Sequence, residues 1–247
     1  MARRRKAPWW TGPSLLCDLT IGLLRIPTVL GCVLLAWPLS LAAARLAIRA
    51  AQAPAGPTVL LLVATTCTAA GIKYGRHRTG FGHLGTLEHE AAHAIVALAT
   101  FHPITGASVR RDSGHVTYAS VTGRGNWLIG IAPYILPLVP LAAIIGTTAA
   151  GLGGSPLAAA AVGAAAGWHI LATLAETRGH QPDLQRLGRP TWVPVVLAVN
   201  TTQVLLTIGW AAAGTTGAAD VITDLHHTSR AILDPVVEHI AARIATS

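Results

Sequence analysis

Apolar stretches about as long as a bilayer core is thick recur along this chain, and they constrain its fold more than any other feature. They cover residues 19–44, 127–149, 157–173 and 192–213, with a shorter one at 57–72. A helix needs about 20 such residues to cross the hydrocarbon core. Of the 247 residues, 52% are hydrophobic and only 11% charged. A soluble domain carries about 25% charged residues, so this chain has too little polar surface to face water on all sides. The expected fold is an all-α polytopic membrane protein with about five to six transmembrane helices.

The formal net charge of +8 is spread in short basic segments between the apolar stretches: 3–6, 73–78, 110–124 and 178–189. That patterning suits topology determination, with these segments on the cytosolic side, and argues against a nucleic-acid partner. The first apolar stretch is too long for the core of a signal peptide, about 7–15 residues, so it reads as a retained span with a cytosolic N-terminus. Arg25 within it costs about 2.5–3.5 kcal/mol on insertion scales. It is expected to snorkel to the headgroups, with the bundle interior as the alternative. Cys17, Cys32 and Cys67 form no close pair and read as small buried hydrophobes.

Three further segments stand out. Residues 105–122 place β-branched residues on both sides of Asp112-Ser113-Gly114, which predicts a β-hairpin. The 127–149 stretch holds Pro133, Pro137 and Pro140 and is expected to be one span. In the tail, Val221, Leu225, Ile232, Val236, Ile240 and Ile244 recur at helical spacing, which predicts an amphipathic C-terminal helix. The chain divides into residues 1–80 (basic start and two spans), 81–190 (the core with the motif below) and 191–247 (last span and tail helix).

The chemistry is carried by Leu87-Glu88-His89-Glu90-Ala91-Ala92-His93, an H-E-x-x-H string at the mouth of an apolar helix predicted over 87–100. Residues four apart project from one helix face, so His89 and His93 can share one zinc ion at about 2.0–2.1 Å. Glu90 stands where its carboxylate can take a proton from an activated water. Ionisable groups at such a depth are functional by default. A catalytic zinc site needs a third protein ligand, and the downstream candidates are His102, Asp112, His115, His169, Glu176, His180 and Asp183. Asp183, just past the end of an apolar helix, is preferred, with Glu176 and His169 as runners-up. If the motif helix enters the membrane only partly from the cytosolic side, His89, His93 and Asp183 fall on one face of the bilayer.

From about residue 83 to 188 the chain resembles the site-2-protease family of intramembrane zinc metalloproteases. The resemblance rests on His89-Glu90-Ala91-Ala92-His93 and is supported by the hairpin, similar to the family's re-entrant hairpin, and by Ala132-Pro133. It implies a Zn²⁺ ion held by two histidines and an aspartate, Glu90 as general base, and cleavage of peptide bonds in membrane-protein substrates. The family's Leu-Asp-Gly motif is absent, and Pro182-Asp183-Leu184 stands in its place. The expected protein is thus a zinc endopeptidase of the membrane, in a bacterial cytoplasmic membrane. The alternatives are a non-catalytic metal-binding anchor or regulator, and a small metal or proton transporter.

Overall fold

The computed structural model describes residues 8–52, 56–75, 81–110, 113–123, 125–178 and 181–245. Asp112, His180 and the basic residues at positions 3–6, 76, 78, 111 and 124 lie outside these. The described residues are mainly helical, with one two-stranded sheet. The elements are α1 (Thr11–Gln52), α2 (Gly56–Gly75), α3 (Phe81–Ala99), β1 (Ile104–Val109), β2 (Gly114–Tyr118), α4 (Trp127–Ile135), α5 (Leu138–Ala149), α6 (Pro156–Arg178), α7 (Pro182–Leu187) and α8 (Arg189–Ala245).

Among the described residues, three helices are long and apolar enough to cross a membrane: Thr11–Leu46, Pro156–Thr177 and Arg189–Arg243. The expected single span over 127–149 is instead two helices, α4 and α5, bent by 59°. Pro137 follows the C-cap residue Leu136, and a residue before proline is pushed out of the helical region. Counted as one span, the pair brings the total to four. This set is compatible with a membrane protein. α8 breaks at Ala213–Gly214, where Gly214 takes φ 63°, a conformation that favours glycine. The expected last span stops at this break, and the expected tail helix lies beyond it.

The chain forms two compact units that interleave in sequence. One comprises Leu30–Ala70, Val139–Ile170 and Leu197–Ser247. Its core joins Leu61, Ala158, Ala159, Val162, Trp210 and Ala211. There α2 and α6 touch backbone to backbone: a Cβ on Gly163 would lie 2.5 Å from the Leu61 carbonyl oxygen, and one on Gly167 2.5 Å from that of Thr65. Small residues permit such approach where lipid supplies no hydrophobic drive for association. In the tail helix, Val221 is buried with Leu39, Ala42, Ala198 and Leu205.

The other unit comprises Met1–Val29, Gly71–Leu138 and Leu171–Val196. It holds α3, the hairpin, α4 and α7. The strands pair antiparallel, with Ser108 opposite His115, as the alternating sequence predicts. The buried Asp18 carboxylate ties three segments to α1. Oδ1 lies 3.1 Å from Nε2 of His102, Asn126 Nδ2 donates to Oδ1 at 3.2 Å, and Thr122 Oγ1 donates to Oδ2 at 3.2 Å. These contacts fix the end of the hairpin and the start of α4, where the Asn126 side chain caps the helix by accepting from Ile129 N.

Candidate metal centre

α3 begins at Phe81, several residues before the sequence-based start, and carries the motif in its middle. Ala91, Ala92, Ala94 and Ala97 are strong helix formers, so the i,i+4 spacing of His89 and His93 becomes a shared face. The rings meet edge to face with centroids 4.9 Å apart, and their Nε2 atoms lie 3.2 Å from each other. Nε2 of His93 also lies 3.4 Å from Oδ2 of Asp183. Ligand atoms of His89, His93 and Asp183 all fall within 4.8 Å of one another, the grouping expected of residues that could hold a metal ion.

The far nitrogens of both rings are tied down. Nδ1 of His93 lies 2.7 Å from the Ile129 carbonyl, which can only accept, so the proton of His93 sits on Nδ1. That carbonyl is available for a reason visible in the sequence. Inside α4 it would be the partner of the residue four positions on, which is Pro133 and has no N–H. Nδ1 of His89 lies 2.8 Å from Oε2 of Glu176, near the end of α6. With both Nδ1 atoms donating, neutral rings present two Nε2 lone pairs to each other beside a carboxylate oxygen. Such an arrangement repels itself unless a proton or a metal cation lies among the three atoms. A histidine whose other nitrogen donates to a carboxylate or a backbone carbonyl is the usual form of an oriented metal ligand.

Asp183, just past the end of α6, is carried by a short helix, α7. Pro182 opens α7 at a position that needs no N–H, and Leu184 and Leu187 are buried beneath it. Leu187 reaches toward Gly130 of α4, so α7 packs on the helix that orients His93. Burial alone would raise the Asp183 carboxyl. The neighbouring His93, with His89 and Arg186, outweighs it and holds the carboxyl below its ordinary value.

Glu90 is buried. The start of β2 lies directly over it: a Cβ on Gly114 would meet Cγ of Glu90 at 2.6 Å and Oε1 at 2.8 Å. Gly114 thus has a packing role that its reading as a turn residue missed. Tyr134, fully buried in α4, sets its ring edge to face against His89 with centroids 5.7 Å apart.

The remaining candidates fall elsewhere. Glu176 reaches the site as the hydrogen-bond partner of His89. His102 is buried against Asp18 and Thr100. His115 is exposed on β2, and His169 is buried within the residue range of the other unit. Arg25 corrects the snorkelling expectation, because its guanidinium bonds to Leu187 and Thr191. No family model, curated protein or solved structure matches the chain.

Proposed function

We propose that this chain is an intramembrane zinc metallopeptidase of the site-2-protease kind, with His89, His93 and Asp183 as metal ligands and Glu90 as general base. One observation carries the reading. A tetrahedral zinc site with bonds of about 2.0–2.1 Å has edges of about 3.3–3.4 Å. The Nε2–Nε2 and Nε2–Oδ2 separations of 3.2 Å and 3.4 Å match two such edges, and all three ligand atoms lie within 4.8 Å of one another. Three protein ligands leave a fourth position for water, as catalytic zinc sites require.

When bound, zinc would lower the pKa of a water to about 7 and polarise a peptide carbonyl. Glu90 takes the proton from the attacking water and passes it to the leaving amine. Glu176 and the Ile129 carbonyl keep both imidazoles in the ligating tautomer. Substrate amides must leave their own helix before hydrolysis, and an unwound segment can be held at the edge of the β1–β2 hairpin by β-augmentation. The closeness of Gly114 to Glu90 supports this, since a strand on that hairpin lies near the base. In the bilayer we assign five spans to α1, α2, the α4–α5 pair, α6 and the first part of α8. α3 and the hairpin enter from the cytosolic side of a bacterial cytoplasmic membrane.

The test is metal content and proteolysis on the purified protein. The wild type should retain about one zinc and cleave a model transmembrane peptide, and a chelator should stop cleavage. Glu90→Gln should keep the zinc and lose cleavage. Zinc-free wild type, or wild-type turnover by Glu90→Gln, would sink the proposal. Zinc retained without cleavage of any membrane peptide would instead favour a metal-binding anchor or carrier.

A further inference from the structure

We infer that Arg25 is a positioning residue for Asp183, acting through α7; the inference rests on the metal-site reading above. Arg25 stands in the apolar part of α1, beside the exposed Leu23, Leu24 and Ile26. A cation in such a stretch is functional by default. Its Nη2 donates to the Leu187 carbonyl at 2.6 Å and to Oγ1 of Thr191 at 2.7 Å, and its Nε donates to the same hydroxyl at 3.2 Å.

Leu187 is the last residue of α7, so its carbonyl has no partner within the helix. A cation there also complements the helix dipole. Gly188, at φ 77°, turns the chain into α8, and Thr191 lies in the first turn of α8. One guanidinium therefore clasps both sides of the α7–α8 corner.

The clasp matters because α7 has only 6 residues, too few to persist without tertiary contacts. Its N-cap residue, Gln181, makes no side-chain capping bond. Leu184, Leu187 and the bond from Arg25 at its C-terminal end are among the points that hold the helix. Asp183 sits one turn before Leu187, so a shift at that end carries directly to the carboxylate. His89 and His93 stand on the 19-residue α3, a separate support. Loss of Arg25 should therefore remove the third ligand while leaving the histidine pair in place. A charge needed only for membrane orientation would be served equally by lysine, which lacks the planar fork.

Full-length protein loaded with cobalt(II), whose visible absorption reports ligand number and geometry, tests this. Asp183→Ala supplies the reference spectrum for a site without the aspartate. Arg25→Met should move the wild-type spectrum toward that reference and weaken cobalt binding about 10-fold or more, as loss of outer-shell support does. Arg25→Lys should recover part of the loss. Thr191→Val should shift both readouts less, in the same direction, and decides the matter if Arg25→Met does not insert. Wild-type spectra and affinities in Arg25→Lys and Thr191→Val would overturn the inference. Hydrogen exchange of the amides at 184–187 in metal-free protein gives a second readout. It should rise in both milder variants, and unchanged exchange overturns the inference even where cobalt binds. Raised exchange in a protein that takes up no cobalt keeps the hold of Arg25 on α7 and removes the metal reading instead.

Discussion

Oε2 of Glu176 lies 2.8 Å from Nδ1 of His89, and this pairing decides which nitrogen of His89 faces His93. Glu176→Ala frees the ring to rotate and removes a charge that raises its basicity. Zinc affinity should fall about 10- to 100-fold, the usual cost of losing such a partner. Competition with a chromogenic chelator measures it. Unchanged affinity would mean that packing against Tyr134 alone orients His89.

Pro133 plays the matching part for His93. Pro133→Ala restores an N–H four residues after Ile129, which then competes for the carbonyl that His93 uses. α4 itself should gain stability, since a proline inside a helix costs about 3 kcal/mol. The expected signature is a thermal midpoint equal to or above the wild type together with weaker zinc binding. If both quantities fall together, Pro133 shapes the helix and does not serve His93.

Gly114 tests the closeness of the hairpin to the base. In Gly114→Val the new side chain must push Glu90 or Thr86 aside, because even a Cβ would meet them at 2.6–2.8 Å. A displacement of about 1 Å can cost about 100-fold in rate. Peptide cleavage should drop by that order while zinc content stays at the wild-type level, as Glu90 is not a ligand. Loss of zinc in this variant would show that the strand supports the histidines instead.

Gly163 separates folding from chemistry. Gly163→Val drives a side chain into the Leu61 carbonyl of α2, and such overpacking typically costs about 1–3 kcal/mol. Thermal unfolding in detergent should shift downward, with zinc affinity per folded molecule unchanged. An unshifted midpoint would mean that α2 and α6 slide apart at little cost.

Part of the fold and of the site is legible in the sequence alone. Periodicity located the hairpin, because alternation places its side chains on two faces whatever surrounds it. The His89–His93 spacing needed only a helix to become a shared face. Asp183 was within reach of sequence reasoning because it follows an apolar helix, but its support was not. A six-residue helix leaves almost no periodic signal, and Pro182 reads as well for a turn as for a first helical residue. Glu176 reads from the sequence as a possible third ligand and stands in the structure against Nδ1 of His89, since sequence does not tell a ligand from the group that orients one. The bend after Leu136 was hidden because prolines are tolerated in spans.

By itself, then, the sequence determined an apolar helical chain and two imidazoles on one helical turn, since both follow from local composition and from the 3.6-residue period. Tertiary structure alone decided that Asp183 meets those imidazoles, that Arg25 clasps the corner beneath it, and that Gly114 lies on Glu90. Those are contacts between residues far apart in the chain, and their geometry depends on how neighbouring helices pack, which no local pattern encodes.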